Sequence, residues 1–112
     1  LVNTDSVYTK PDVEAKFPGG EKKWNEYVSK QIVDNLSDLI DDPLSKGLFV
    51  IILIIGTDGS IIVAEPQSMH NSVLAKIFKK AVSKGPKWIP AQVNGVNVKS
   101  VKMQKIEFRP PQ

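Results

Sequence analysis

The chain has 112 residues, of which 41% are hydrophobic and 24% charged, as is typical of a single globular domain. It contains no cysteine and one histidine, which excludes disulfide scaffolds, thiolate metal sites and cysteine nucleophiles. Residues 76–112 carry nine basic residues and one acidic residue, whereas residues 1–75 carry six basic and eleven acidic residues. Aromatic residues do not alternate with the C-terminal lysines, so we do not expect nucleic acid as a partner.

The first 16 residues are polar and lack a hydrophobic period, which predicts an extended leader (residues 1–16) before a single domain (residues 17–112). The chain begins at Leu1, and its methionines are Met69 and Met103. We therefore expect that a natural N-terminal segment, with any signal or anchor, is missing.

Hydrophobic residues spaced three and four apart predict an amphipathic helix over residues 21–40, ended by the sequence Asp-Asp-Pro at residues 41–43. The unbroken apolar run at residues 48–55 is rich in β-branched side chains and predicts the central strand. Such a run indicates that both faces of the strand are covered or that one is offered to a partner. Asp-Gly at residues 58–59 predicts a hairpin turn into a second strand at residues 61–64.

A second helix is predicted at residues 73–84, capped by Asn71 or Ser72. A short strand near Trp88, an Asn-Gly turn and a long strand at residues 96–108 follow. The apolar positions of this long strand change parity, which suggests a bulge or twist, and its three lysines indicate a solvent-facing edge: Lys99, Lys102 and Lys105. The fold class is α+β, a small antiparallel sheet of about three strands with two helices on one face, in the order α-β-β-α-β, with an extra short strand near Trp88.

No set of residues predicts catalysis, a metal site or a cofactor, so we do not expect an enzyme. His70 has no evident orienting partner, and neither Ser60 nor Ser83 lies in a nucleophile motif. An edge strand does offer unpaired N–H and C=O groups, to which an extended peptide can add as one more strand. The alternative is an edge that its lysines merely protect.

Four sequence pieces follow one another along the chain: FPGGE at residues 17–21, Asp-Gly at 58–59, WIPA at 88–91 and Asn-Gly at 94–95. Taken in this order, they resemble the C-terminal domain of TonB-like energy transducers, in the form in which FPGGE precedes the first helix. The resemblance covers residues 17–108. Its most specific parts are the FPGG and WxPA pieces, since Asp-Gly and Asn-Gly turns are common. The residues that match are Phe17, Pro18, Gly19, Gly20, Asp58, Gly59, Trp88, Pro90, Asn94 and Gly95.

This resemblance implies a noncatalytic periplasmic domain of the cell envelope that binds N-terminal peptides of outer-membrane TonB-dependent transporters for energy-coupled transmembrane transport. The peptide would add as a strand to the last strand of the domain, and the missing N-terminal segment would connect to an inner-membrane motor complex. Carried over by position, the binding edge comprises Val98, Lys99, Ser100, Val101, Lys102, Met103, Gln104, Lys105 and Ile106. The alternative is a standalone secreted or lipoprotein-anchored envelope module, for instance one that forms a homodimer through the face of residues 48–55.

Overall fold

The computed structural model describes residues 2–110, so the predicted limits at Leu1 and at residues 111–112 lie outside the described residues. Within residues 2–110 it contains helices and strands packed together as an α+β fold, which confirms the predicted class. The elements, in chain order, are β1 (Val7–Tyr8), α1 (Glu21–Asp34), α2 (Leu36–Asp41), β2 (Gly47–Ile55), β3 (Ile61–Pro66), α3 (Val73–Lys84), β4 (Ala91–Val93) and β5 (Val96–Phe108).

The sheet has the strand order β1-β5-β2-β3, and β4 pairs with the first residues of β5. The three strands predicted to form the sheet are β2, β3 and β5, which pair antiparallel. β1 comes from the leader and pairs parallel with β5. The leader also bridges to the segment before β5, through Val13 with Gln92 and Lys16 with Ile89.

The core lies between one face of the sheet and the helices. Alternate residues of β2 point into it, namely Phe49, Ile51, Leu53 and Ile55. These side chains belong to one buried cluster with Trp24 of α1, Leu39 of α2, and Leu74, Ala75, Phe78 and Val82 of α3. Within residues 2–110, no helix is long and apolar enough to cross a membrane.

The first predicted helix is divided in two at Asn35, which has φ −117° and separates α1 from α2. The Asn35 side-chain amide donates a hydrogen bond to the carbonyl of Gln31 at 2.7 Å. Asparagine side chains compete in this way with the regular backbone hydrogen bonds of a helix, so a break at this position has a local cause.

The prediction of a bulge in the long strand is wrong for the part of β5 that pairs with β2. The ladder between β2 and β5 runs without a shift from the pair of Gly47 with Phe108 to the pair of Ile55 with Ser100. The apolar parity changes because Lys102 and Gln104 occupy positions on the core face of β5. The register shifts instead in the β2–β3 pair, between Ile54 and Ile55.

Lys102 also departs from the predicted solvent-facing row of lysines. Its side chain is 25% exposed, lies 3.8 Å from the Glu21 carboxylate, and has its ammonium 6.0 Å from the centre of the Trp88 ring. A lysine can bury its aliphatic stem while its charge stays near solvent and a partner. Lys105 is exposed, as predicted.

Three side chains cap the N-terminus of α3. The predicted cap Ser72 accepts a hydrogen bond from the Ala75 N–H at 3.0 Å, which confirms that choice over Asn71. Asp42 accepts from the Val73 N–H at 2.7 Å, and the Ser45 hydroxyl oxygen accepts from the Leu74 N–H at 3.1 Å. The segment between α2 and β2 thus holds α3 against the core by satisfying its free N–H groups.

Candidate functional site

The outer side of β5 is covered at its beginning and open further along. β4 pairs with Val96–Val98 on the same side of β5 as β2, whereas β1 pairs with Lys99 and Ser100 on the side away from β2. Beyond that point, no strand among residues 2–110 pairs with the outer side of residues 101–107. We call this stretch, residues 101–107 of β5, the open edge.

Hydrogen bonds on β2 establish which backbone groups of β5 face outward. The Val50 N–H donates to the Ser68 hydroxyl oxygen at 2.9 Å, and its carbonyl accepts from the Gln67 N–H at 2.7 Å. Val50 therefore faces β3, and its neighbour Ile51 faces β5, where it is paired with Gln104. Successive residues of a strand direct their N–H and C=O groups to opposite sides, so the backbone of Gln104 faces β2.

The same alternation places the outward-facing groups of the open edge at Val101, Met103, Lys105 and Glu107. Their side chains project from the sheet face opposite the helices, since their partners in β2 are the even-numbered residues. The parallel pairing of Tyr8 with Ser100 uses the Val101 N–H, so the open edge presents the Val101 carbonyl and both backbone groups of Met103, Lys105 and Glu107 without a strand partner in the described part of the chain.

Gln104 connects the open edge to α1. Its side-chain oxygen accepts a hydrogen bond from the Trp24 indole N–H at 2.7 Å, and its side-chain amide donates to the Lys105 carbonyl at 3.0 Å. Because Trp24 is buried in the core, this pair of bonds fixes the middle of the edge. A carbonyl oxygen has two lone pairs, so that of Lys105 can still accept from an added strand.

The nine predicted edge residues divide into two groups in the structure. Lys99 and Ser100 already have partners on the outer side, namely Val7 and Tyr8, and Val98 is paired with Ala91 on the side of β2. The other six lie along the open edge: Val101, Lys102, Met103, Gln104, Lys105 and Ile106. Glu107, in the same predicted strand, also has an outward-facing backbone. Sequence reasoning missed the leader strand. The only signal for that strand was the short β-favouring pair Val7-Tyr8.

The family-motif residues gather behind β5 around an aromatic cluster. The Phe17 ring centre lies 5.4 Å from that of Trp24 and 5.6 Å from that of Trp88, and the two tryptophan rings are 4.9 Å apart. The Trp88 N–H donates to the Gly59 carbonyl at 2.8 Å. The FPGG, Asp-Gly and WxPA pieces, which are distant in sequence, thus meet in one place.

Two of these positions require glycine. Gly59 has φ +88°, and a Cβ atom there would overlap the Trp88 carbonyl oxygen. Gly19 has φ +90° in the turn closed by the bond from the Gly20 N–H to the Phe17 carbonyl, 2.7 Å, with Pro18 at its second position. Gly20 then precedes α1, and its carbonyl accepts from the Trp24 N–H at 3.0 Å.

The remaining motif residues are also structural. Pro90 directly precedes β4, and Asn94 and Gly95, both with positive φ, form the two-residue turn that joins β4 to β5. The Asn94 N–H donates to the Asp12 carboxylate of the leader at 2.8 Å. The leader is therefore fixed to this hairpin.

The carboxylates with shifted pKa values hold turns together. The Ser60 hydroxyl and N–H both donate to Asp58, which together with Lys87 at 3.5 Å lowers the Asp58 pKa to about 2. Hydrogen bonds from the Ser45 hydroxyl and the Val73 N–H lower the Asp42 pKa below its usual value. Among residues 2–110, no group of three or more His, Asp or Glu side chains is placed to hold a metal ion.

The sheet face opposite the helices is apolar and open to solvent. Leu48 is 48% exposed, and Val50, Ile52 and Ile54 are partly exposed along the same strand. Exposed Met103 and Val63 flank them on β5 and β3. We call this surface, centred on Leu48, Val50, Ile52 and Ile54, the open face.

Comparisons of the chain with protein-family models, with curated proteins and with solved structures found no match.

Proposed function

We propose that the chain is a noncatalytic peptide-binding domain of the cell envelope that takes up an extended peptide as an added strand on the open edge. The observation that carries this proposal is the row of outward-facing backbone groups at Val101, Met103, Lys105 and Glu107. A paired peptide would satisfy these groups, while its alternate side chains contact the two faces of the sheet. The exposed lysine and charged residues along the edge limit its pairing with further copies of itself.

The kind of partner comes from the TonB-like motifs. They favour an N-terminal periplasmic peptide of an outer-membrane transporter, with the chain located in the periplasm and connected to an inner-membrane motor complex through a segment before Leu1. In support, the matching residues all serve the turns and the aromatic cluster behind β5, the strand on which the peptide would add. Several backbone hydrogen bonds along one strand would share a pulling load, as such a role requires.

The first test is an NMR titration of labelled protein with short peptides from the periplasmic N-termini of outer-membrane transporters. We expect amide shifts concentrated at residues 101–107, and their loss when proline replaces a central residue of the peptide. Binding without any shift on β5, or no binding at millimolar peptide concentration, would contradict the proposal.

A proline substitution in the protein gives a sharper test. The Met103 N–H faces outward, so Met103→Pro removes an edge donor without removing a bond to β2. We expect Met103→Pro to remain folded and to bind peptide at least about tenfold more weakly, whereas Met103→Ala binds as the wild type does. Unchanged binding by a folded Met103→Pro variant would exclude strand addition at this edge.

The open face favours a second candidate, a standalone envelope module that forms a homodimer through its sheet. The specific observation is the partial exposure of Leu48, Ile52 and Ile54 at the centre of the sheet. This candidate predicts a concentration-dependent dimer in analytical ultracentrifugation that weakens with Ile52→Lys or Ile54→Lys. A wild-type protein that stays monomeric at high concentration would rule it out.

A further inference from the structure

A cavity of about 170 Å³ lies where the open edge begins. One wall is formed by the leader residues Pro11, Glu14 and Ala15, and the other by residues 100–103 of β5, with Ile55 of β2 also lining it. A cavity of this size has room for one side chain, since an engineered cavity of about 150 Å³ accommodates a benzene molecule. A strand added on the open edge would therefore end beside this cavity.

The leader wall is fixed in place before any peptide arrives. Val13 exchanges backbone hydrogen bonds with Gln92 at 3.0 and 2.9 Å, and Lys16 does so with Ile89 at 2.9 and 2.7 Å. These bonds flank Glu14 and Ala15, which lie between them in the chain. The cavity is thus preformed, which reduces the entropy cost of filling it.

The Ser100 hydroxyl is a polar group available inside the cavity. Ser100 is 3% exposed, and its hydroxyl forms no hydrogen bond among the described residues. No enclosed side-chain oxygen or nitrogen lacks a partner within residues 2–110, so this hydroxyl is not fully enclosed, and the cavity is an open space that Ser100 lines. A buried polar group in this position favours a ligand atom that can hydrogen bond.

The charges around the cavity favour a cation. Among the residues that line the cavity, Glu14 is the one acid and Lys102 the one base, and Lys102 is paired with Glu21 at the start of α1. Lys102 lies 3.8 Å from the Glu21 carboxylate, whereas no ion pair within the described residues involves Glu14. A positive group in the cavity would meet the Glu14 carboxylate and could donate to the Ser100 hydroxyl oxygen.

We propose that this cavity is a specificity pocket for a lysine or arginine side chain at the end of the added strand that lies beside Val101. The inference rests on the proposed function, because it assigns one side-chain preference of the peptide that the open edge would bind. The Glu14 carboxylate selects for positive charge, the Ser100 hydroxyl accepts a hydrogen bond, and the leader closes the pocket.

The test uses seven-residue peptides of alternating threonine and valine, with blocked ends and with lysine, norleucine or glutamate at either terminal position. We expect the lysine peptide to bind about three- to fivefold more tightly than the norleucine peptide, at one end only, with the glutamate peptide weakest. Glu14→Gln should remove this preference. The matched control is Glu65→Gln, which changes an exposed acid on β3, at the opposite edge of the sheet, and should retain it.

A preference that survives in Glu14→Gln, or its absence from the wild type, overturns the pocket but leaves strand addition intact. If no peptide binds the wild type, strand addition fails, and n-butylammonium then tests the pocket alone. Amide shifts at Glu14 and Ser100 that saturate with n-butylammonium, and that vanish in Glu14→Gln, support a cation pocket. The same shifts with n-butanol, or none with the ammonium ion, overturn it.

Discussion

The two faces of β2 have nearly the same composition and opposite environments. Phe49, Ile51 and Leu53 are fully buried against the helices, whereas Leu48, on the other face, is 48% exposed. Both sets are large and apolar, and they alternate along nine residues of one strand. Their burial differs because the helices pack against one face of the strand only, not because the side chains differ.

An apolar run therefore shows that either face of a strand can be buried, but it does not show which face is buried. The helices and the aromatic cluster all lie on one side of the sheet. The other side and the open edge of β5 are left to solvent within the described chain. The contribution of the covered side to stability can be measured by substitution, with a control substitution on the open side or in an exposed segment.

The largest effect is expected from truncating the covered face of β2. Ile51→Ala should lower the free energy of unfolding by about 2–5 kcal/mol, because it leaves a cavity among packed side chains. Ile52→Ala, one residue away on the open face, should cost less than about 1.5 kcal/mol, since Ile52 is only partly buried. Urea unfolding of both variants measures the difference, and equal losses would contradict the assigned faces.

The next largest loss of stability is expected from disrupting the contact between Gly59 and Trp88. Gly59→Ala should cost about 2–4 kcal/mol, because its Cβ would overlap the Trp88 carbonyl and the position has positive φ. Gly95 also has positive φ, but it faces open space, so Gly95→Ala should cost only about 1 kcal/mol. Thermal and urea unfolding test the pair. A Gly59→Ala variant no less stable than Gly95→Ala would show that the Trp88 loop is not held as described.

The cap of α3 is expected to contribute less to the free energy of unfolding. Ser45→Ala removes the acceptor of the Leu74 N–H and the donor to Asp42, which should cost about 1 kcal/mol. Ser83→Ala, in an exposed part of the same helix, should change the free energy of unfolding by less than about 0.5 kcal/mol. If the two substitutions cost the same, the segment from α2 to β2 does not anchor α3.

The smallest effect is a pH dependence of the stability from the carboxylates of Asp42 and Asp58. The Asp58 pKa is lowered to about 2 in the folded chain, from an ordinary value of 3.8, and that of Asp42 is lowered too. Their stabilising effect is therefore present above about pH 4 and is lost as the pH falls towards 2. Asp58→Asn keeps an acceptor for Ser60 but does not titrate, so its free energy of unfolding should fall less over this range. An identical slope in the wild type and the variant would contradict this assignment.

Much of the fold was predictable because local signals agreed with it. The breaker FPGG, the spacing of apolar residues in α1 and α3, and the turn residues at 58–59 and 94–95 each have a local physical cause. The break at Asn35 and the pairing of Val7 and Tyr8 with β5 were missed. The first depends on one side-chain hydrogen bond, and the second on a strand too short to show a period.

The candidate site was less predictable than the fold. The long last strand and its lysines could be predicted from the sequence, but the pairing of β1 with its outer side at Lys99 and Ser100 is apparent only in the tertiary structure. Which N–H groups face outward depends on the register with β2, and a shift of one residue would reverse them. The cavity between Glu14 and Ser100 joins segments more than eighty residues apart, and no local pattern reports it.

The α+β class, the main helices and strands, and the turn chemistry of the glycines and asparagines could be predicted from the chain alone, because these depend on neighbouring residues. The covered face of β2, the beginning of the open edge and the charged groups that line its pocket are apparent only in three dimensions. Those features depend on strand pairing and on the placement of the leader, which are set by contacts between residues distant in sequence.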